Sequence, residues 1–123
     1  MKTLNISDAE WEVMNLLWNQ APRTSGEIVE LLAARKGWRS RTIRTLLDRL
    51  VQKGAVAMQA DRRPSLYQPS ISQEACIRRE SQSFLDRVFG GEPASMLVHL
   101  VKHTELSPAD IKKLKKILTE KKK

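Results

Sequence analysis

The run from Trp38 to Gly54 leaves few folds open. Ile43, Leu46, Leu47, Leu50 and Val51 recur at i, i+3, i+4, i+7 and i+8. That spacing lays one apolar stripe along a helix of about four turns. In a strand the same residues would scatter over both faces. Ser40 stands where a hydroxyl can accept an orphan backbone N–H and start the helix. Gly54 can adopt the left-handed conformation that ends it, and Lys53 lies beside the negative end of the dipole. The opposite face carries Arg41, Thr42, Arg44, Thr45, Asp48, Arg49 and Gln52. An arginine can fork onto guanine, and a threonine can touch a thymine methyl or a phosphate. Two readings follow from this stretch alone: a recognition helix for the DNA major groove, or the solvated face of a core helix.

The flanking segments favour the first reading. Thr24-Ser25-Gly26-Glu27 is a capping box, and a helix should run from it to about Lys36, with Ile28, Leu31 and Leu32 inward and Gly37 closing it. Only Gly37-Trp38-Arg39 then separates it from Ser40. Two short helices joined by so tight a turn, the second carrying Arg and Thr at its start, have the helix-turn-helix layout. Trp38 is expected to pack under the turn and Arg39 to reach a phosphate. Upstream, Ser7-Asp8-Ala9-Glu10 is another capping box, opening a helix to about Gln20. Ala9, Val13, Leu16 and Leu17 form its inner stripe, and Trp11, Met14 and Trp18 a second one. Ala21-Pro22 breaks it. Downstream of Gly54 the period changes. Ala55–Ala60 reads as a strand, Asp61-Arg62-Arg63-Pro64-Ser65 as a turn and Leu66–Pro69 as a returning strand. A hairpin placed there, with Arg62 and Arg63 at its tip, is a wing that can lie along the DNA backbone or minor groove.

Charge follows the same outline. The net charge is +8, of which residues 23–63 carry +6 and residues 1–22 carry −2. A basic excess gathered around one helix and one hairpin is the footprint of a polyanion binder. Other classes find little support. No apolar run approaches the ~20 residues that span a bilayer. The first residues lack an apolar signal core, so a cytoplasmic protein is expected. Cys76 is the only cysteine, which excludes an internal disulfide; it reads as a small core hydrophobe. His99 and His103 stand at i, i+4 and could share a metal, but no third ligand accompanies them, so neither metal nor cofactor is expected. No nucleophile–base pair or phosphate-cradling glycine loop is present, so the chain is not expected to be an enzyme or to take a small-molecule substrate.

Beyond Pro69 the pattern is helical. A long helix is expected from Ser70-Ile71-Ser72-Gln73 to about Phe89, with Cys76, Ile77, Phe84, Leu85 and Val88 as its apolar positions. Gly90-Gly91-Glu92-Pro93 breaks it. A short helix from Ala94 to about His103 holds Met96, Leu97, Val98, Leu100 and Val101. Ser107-Pro108-Ala109-Asp110 starts the last helix, with Ile111, Leu114, Ile117 and Leu118 on one side and Lys112, Lys113, Lys115 and Lys116 on the other. So small a unit cannot bury this much apolar surface alone. Residues 71–123 are therefore expected to be a dimerisation domain following a DNA-binding domain at 1–70, with Phe84, Leu85, Val88, Met96, Leu97, Leu100, Val101, Ile111, Leu114 and Leu118 in the shared core.

Ile6-Ser7-Asp8-Ala9-Glu10-Trp11-Glu12-Val13-Met14 with Leu17-Trp18, then Trp38 to Leu50, then Lys53-Gly54, resembles the BlaI/MecI/CopY family of bacterial repressors. The likeness spans nearly the whole chain; Tyr67, Phe84, Gly90-Gly91 and Glu105-Leu106-Ser107 keep the family's order. The resemblance implies a mostly α protein: a winged helix-turn-helix DNA-binding domain with a small β-wing, then a three-helix dimerisation domain. It implies a homodimer that blocks transcription from a palindromic operator with TACA/TGTA-like half-sites. Carried over by position, Ser40, Arg41, Thr42, Arg44 and Thr45 fall on the groove-reading helix, and Arg62 and Arg63 on the wing. Two departures stand out. The cysteine-rich metal motif of copper-responsive members is missing from the tail Thr119-Glu120-Lys121-Lys122-Lys123. The Asn-Phe bond at which antibiotic-resistance members are cleaved corresponds here to His99-Leu100. The resemblance thus also implies a partner, a membrane-bound sensor metalloprotease, with an unusual target bond. The competing reading is a winged-helix module that binds protein or RNA, since a fold alone does not set a function.

Overall fold

The computed structural model describes residues 5–122. Its elements, in order, are α1 (Asp8–Gln20), β1 (Arg23–Thr24), α2 (Ser25–Lys36), α3 (Ser40–Gln52), β2 (Val56–Gln59), β3 (Leu66–Pro69), α4 (Gln73–Phe89), α5 (Pro93–His103) and α6 (Pro108–Lys122). The chain divides into two compact units between Arg79 and Glu80, inside α4. The sequence pattern places the boundary between Ser70 and Ile71. The first turns of α4 go with the N-terminal unit because Cys76, at their centre, is buried in its core.

In the N-terminal unit, α1, α2 and α3 enclose an apolar core of Val13, Met14, Leu16, Leu17, Ile28, Leu32, Ile43, Leu46, Leu47 and Leu50. The capping boxes at Ser7/Glu10 and Thr24/Glu27 are both formed, so α1 and α2 start where the spacing predicts. Gly37 closes α2 with φ 69°, a value that only glycine adopts without strain. Met14 is fully buried, whereas its stripe partners Trp11 and Trp18 stay half-buried. Their rings meet at 5.5 Å and 59°, and the Trp18 indole Nε1–H donates to the carbonyl of Ile71 at 3.0 Å.

Two local expectations change. Ser40 is the first helical residue of α3; the cap is Arg39, whose carbonyl accepts from Ile43 N–H at 3.1 Å, and no side chain caps this end. The short link after Gly37 leaves Arg39 extended, so the helix begins directly behind it. The strand β1 has no sequence signal of its own, being two residues between a helix break and a capping box. It completes a sheet of order β1-β3-β2, all antiparallel. Tyr67 faces Arg23 on one side and Met58 on the other. Helix-turn-helix and β2–β3 hairpin together are the winged helix-turn-helix that the sequence implies.

The C-terminal unit holds the rest of α4, then α5 and α6. Gly90 and Gly91 turn the chain with φ 57° and 82°, two consecutive left-handed residues that a Cβ would strain. α5 begins at Pro93, one residue earlier than expected, with proline in the first turn where its missing N–H is harmless. Ser107 and Asp110 exchange side-chain and backbone bonds at 3.0 and 3.1 Å and fix the start of α6. Within one chain this unit buries little. No residue of α5 or α6 is buried, and Val88, Leu97, Val101 and Leu118 are 50 to 59% exposed.

Candidate nucleic-acid interface

The basic helix α3 is held from behind. Ile43, Leu46, Leu47 and Leu50 anchor it in the core, and Arg41, Thr42, Arg44, Thr45, Asp48, Arg49 and Gln52 are exposed. Its C-terminal end is pinned by an ion pair absent from the sequence reading. Glu10 is 1% exposed, the only buried charged residue of those described. Lys53 Nζ reaches Glu10 Oε1 at 2.6 Å and also donates to the carbonyl of Asn5. The backbone N–H of Ser7 donates to the same carboxylate oxygen at 2.8 Å, while Glu10 Oε2 has no hydrogen-bond partner. Burial pushes the Glu10 carboxyl up, but the bonds from Lys53 and Ser7 outweigh it and hold the group below its ordinary value. Lys53 therefore ties the end of α3 to the start of α1 and is not free for a phosphate.

Successive residues of a helix are rotated by about 100°. With the stripe centred on Ile43 inward, Arg41, Thr45, Asp48 and Gln52 form the line facing directly away from the core. Thr42 and Arg49 lie on one flank, and Arg44 on the other with Ser40. The Arg41/Thr45 line and the Arg44 flank differ in their bonding. The Thr45 hydroxyl donates to the Arg41 carbonyl at 2.9 Å, inside the helix. Arg44 Nη1 donates to Ser25 Oγ, at the start of α2, at 3.1 Å. Ser25 escaped the sequence reading because the capping box marks only Thr24 and Glu27.

The remaining bases sort by partner. Lys36 pairs with Glu12 at 2.7 Å and Arg23 with Glu27 at 2.9 Å. The Thr24 backbone N–H, then Arg23, holds the Glu27 carboxyl below its ordinary value. Among the described residues no ion pair involves Arg39, Arg41, Arg44, Arg49, Arg62 or Arg63, and all six are exposed. The N-terminal unit thus engages several charges structurally and leaves unpaired the arginines singled out from sequence. Four of them flank or lie on α3, and Arg62 and Arg63 occupy the β2–β3 turn. Such a surface has positive charge, forked donors and hydroxyls on a rigid helix of major-groove size.

In the C-terminal unit the expected dimer positions fall into two groups. Phe84, Val88, Leu97, Leu100, Val101, Ile111, Leu114 and Leu118 are exposed, and Leu85 and Met96 are half-buried. The His99 ring meets that of His103 with centroids 4.5 Å apart and planes tilted by 41°, and that of Phe89 at 5.9 Å and 54°. No group of three or more metal-ligating side chains occurs among the described residues. His99 and Leu100 are exposed in the middle of α5. No described helix is long and apolar enough to cross a membrane.

Comparison with known proteins places this geometry. The family model described as "Penicillinase repressor" matches residues 6–120. The penicillinase repressor of Bacillus licheniformis is 36% identical over 119 residues, covering 97% of this chain and 93% of that protein. The methicillin resistance regulatory protein MecI of Staphylococcus aureus is 33% identical over 120 residues, covering 98% of each. Among solved structures, the DNA-binding domain of the repressor BlaI superposes with TM-score 0.54 at 36% identity, over 58% of this chain and 88% of that one. The Bacillus licheniformis BlaI monomer in complex with the blaP half-operator gives 0.53 at 36% identity, over 59% and 89%.

Proposed function

The chain belongs to the penicillinase repressor family, whose members are transcriptional repressors and not enzymes, and on that premise we propose that it is a sequence-specific repressor in the cytoplasm. It binds a double-stranded operator as a homodimer, α3 entering the major groove and Arg62 and Arg63 following the backbone. One observation carries this reading: the exposed Arg/Thr face of α3, held rigid by its core stripe and by Lys53, with its arginines unpaired. A palindrome with TACA/TGTA-like half-sites would match the two-fold symmetry of such a dimer. The dimer itself is supported by the C-terminal unit, whose large apolar side chains lack cover within one chain.

Release of repression would follow from a cut at His99–Leu100 by a membrane-bound sensor metalloprotease. The bond lies inside α5, so α5 must open before a protease can take it in extended form. Cleavage would then divide Met96 and Leu97 from Leu100 and Val101 and destroy the shared core.

The experiment is an anisotropy titration of the full chain against duplexes that it selects from a randomised library, at two salt concentrations. One selected dyad sequence, bound two chains per duplex and far more tightly than random DNA, is the expected result. Uniform binding of all duplexes that collapses with salt would overturn the reading and favour a protein- or RNA-binding module.

A further inference from the structure

We infer that the arginines of α3 divide their labour: Arg41, with Thr45, reads base edges, whereas Arg44 grips a backbone phosphate and is positioned for it by Ser25. The inference rests on the DNA-binding reading above and deepens it.

Three observations lead here. First, Arg41 and Thr45 lie on the line of α3 that points directly away from the core stripe, where a helix in the major groove meets the base edges. Arg41 is exposed and unpaired, so its full fork of donors is available for a bidentate contact. The Thr45 hydroxyl spends its proton on the Arg41 carbonyl, leaving its methyl and an acceptor for a base. Second, Arg44 lies on the flank of α3 nearer α2. Third, its guanidinium is drawn further to that side by the bond to Ser25 Oγ, the first residue of α2. An arginine tethered sideways cannot centre its fork on a base edge, but its remaining N–H donors can take a phosphate beside the groove. In the helix-turn-helix arrangement the helix preceding the recognition helix crosses the sugar–phosphate backbone. Ser25 is the first residue of that preceding helix, α2. Because the tether orders Arg44 before DNA arrives, less side-chain freedom is lost on binding.

The test uses the full chain and the duplex it selects, together with single-base variants of that duplex and random DNA. Arg41→Ala should lose roughly 5- to 150-fold on the selected duplex and far less on the variant changed at the base it reads. Arg44→Ala should weaken selected, variant and random duplexes by the same factor, and should lower the log–log salt slope by about 0.9 per contact. Arg44→Lys should keep most of that binding, because a point charge satisfies a phosphate, whereas Arg41→Lys should not rescue a forked contact. Ser25→Ala should reproduce part of the uniform loss seen with Arg44→Ala. Tryptophan emission, with all three tryptophans in the N-terminal unit, verifies that each variant is folded. A base-specific loss for Arg44→Ala, or a uniform one for Arg41→Ala, would overturn the division. A silent Ser25→Ala beside a weakened Arg44→Ala would overturn the positioning role. If no duplex is selected at all, it is the repressor reading that fails.

Discussion

Replacing Lys53 with Met removes the charge opposite Glu10, the one buried carboxylate among the described residues, and keeps most of the packing. Breaking a fully buried pair from one side costs about 3–5 kcal/mol. Lys53 is not fully buried: its side chain is 34% exposed, against 2% for Glu10. Water already screens the lysine end, and Glu10 keeps its bond from the Ser7 N–H. The expected loss is therefore smaller, about 2 kcal/mol, or roughly 10 °C in Tm for a unit of this size. Glu10→Gln should cost less, about 1 kcal/mol, because glutamine can still complete a capping box and Lys53 can turn to solvent. A double-mutant cycle over the pair should return a coupling of about 1–2 kcal/mol. Urea unfolding followed by the emission of Trp11, Trp18 and Trp38 reads the unit that contains the pair.

The pH dependence makes the test sharper. The folded-state pKa of Glu10 lies below the unfolded value of 4.5. A depressed carboxylate contributes stability that is present above 4.5 and lost as pH falls through the folded value. In Lys53→Met the burial penalty loses its largest opponent, so the Glu10 pKa should rise and the acid-side loss should disappear. The gap between wild type and variant should be greatest near neutrality and should narrow as pH falls from 4.5 through the folded value. A loss under about 0.5 kcal/mol at neutral pH, or a gap that does not change between pH 7 and pH 3, would refute the clamp.

Two further outcomes follow. Leu97→Lys with Val101→Lys, on the half-exposed face of α5, should convert the proposed dimer into monomer by sedimentation and lower affinity for the selected duplex without shifting the tryptophan-monitored unfolding of the N-terminal unit. Trp18→Phe removes the donor to the Ile71 carbonyl and should destabilise the N-terminal unit by about 1 kcal/mol, measured by the same urea titration.

What the sequence made legible, and what it hid, divides along one physical line. Periodicity and caps are local, so α1, α2, α3 and the β2–β3 hairpin could be placed from the spacing of Val13, Ile28, Ile43 and Leu50 and from the capping pairs. The Arg/Thr face of α3 is likewise a property of one helix. Contacts across the chain leave no such signature. Glu10 looks like an ordinary capping-box acid, and nothing nearby announces Lys53, 43 residues away. Ser25 is the unremarked residue inside a cap, and Arg44 is 19 residues on. Trp18 and Ile71 stand 53 apart. The boundary within α4 was hidden for the same reason, since only packing shows that Cys76 belongs with the N-terminal core. The long-range contacts share a purpose. Lys53–Glu10 fixes the far end of α3 and Ser25–Arg44 fixes a side chain near its start, so the helix is restrained at its far end and along its apolar stripe. A reading helix needs that restraint, because a base-edge contact of ~1–3 kcal/mol discriminates only if the helix cannot shift to meet a wrong base. Loosening the Lys53–Glu10 end should therefore erode sequence discrimination before it erodes affinity, since phosphate contacts tolerate the shift that base contacts do not.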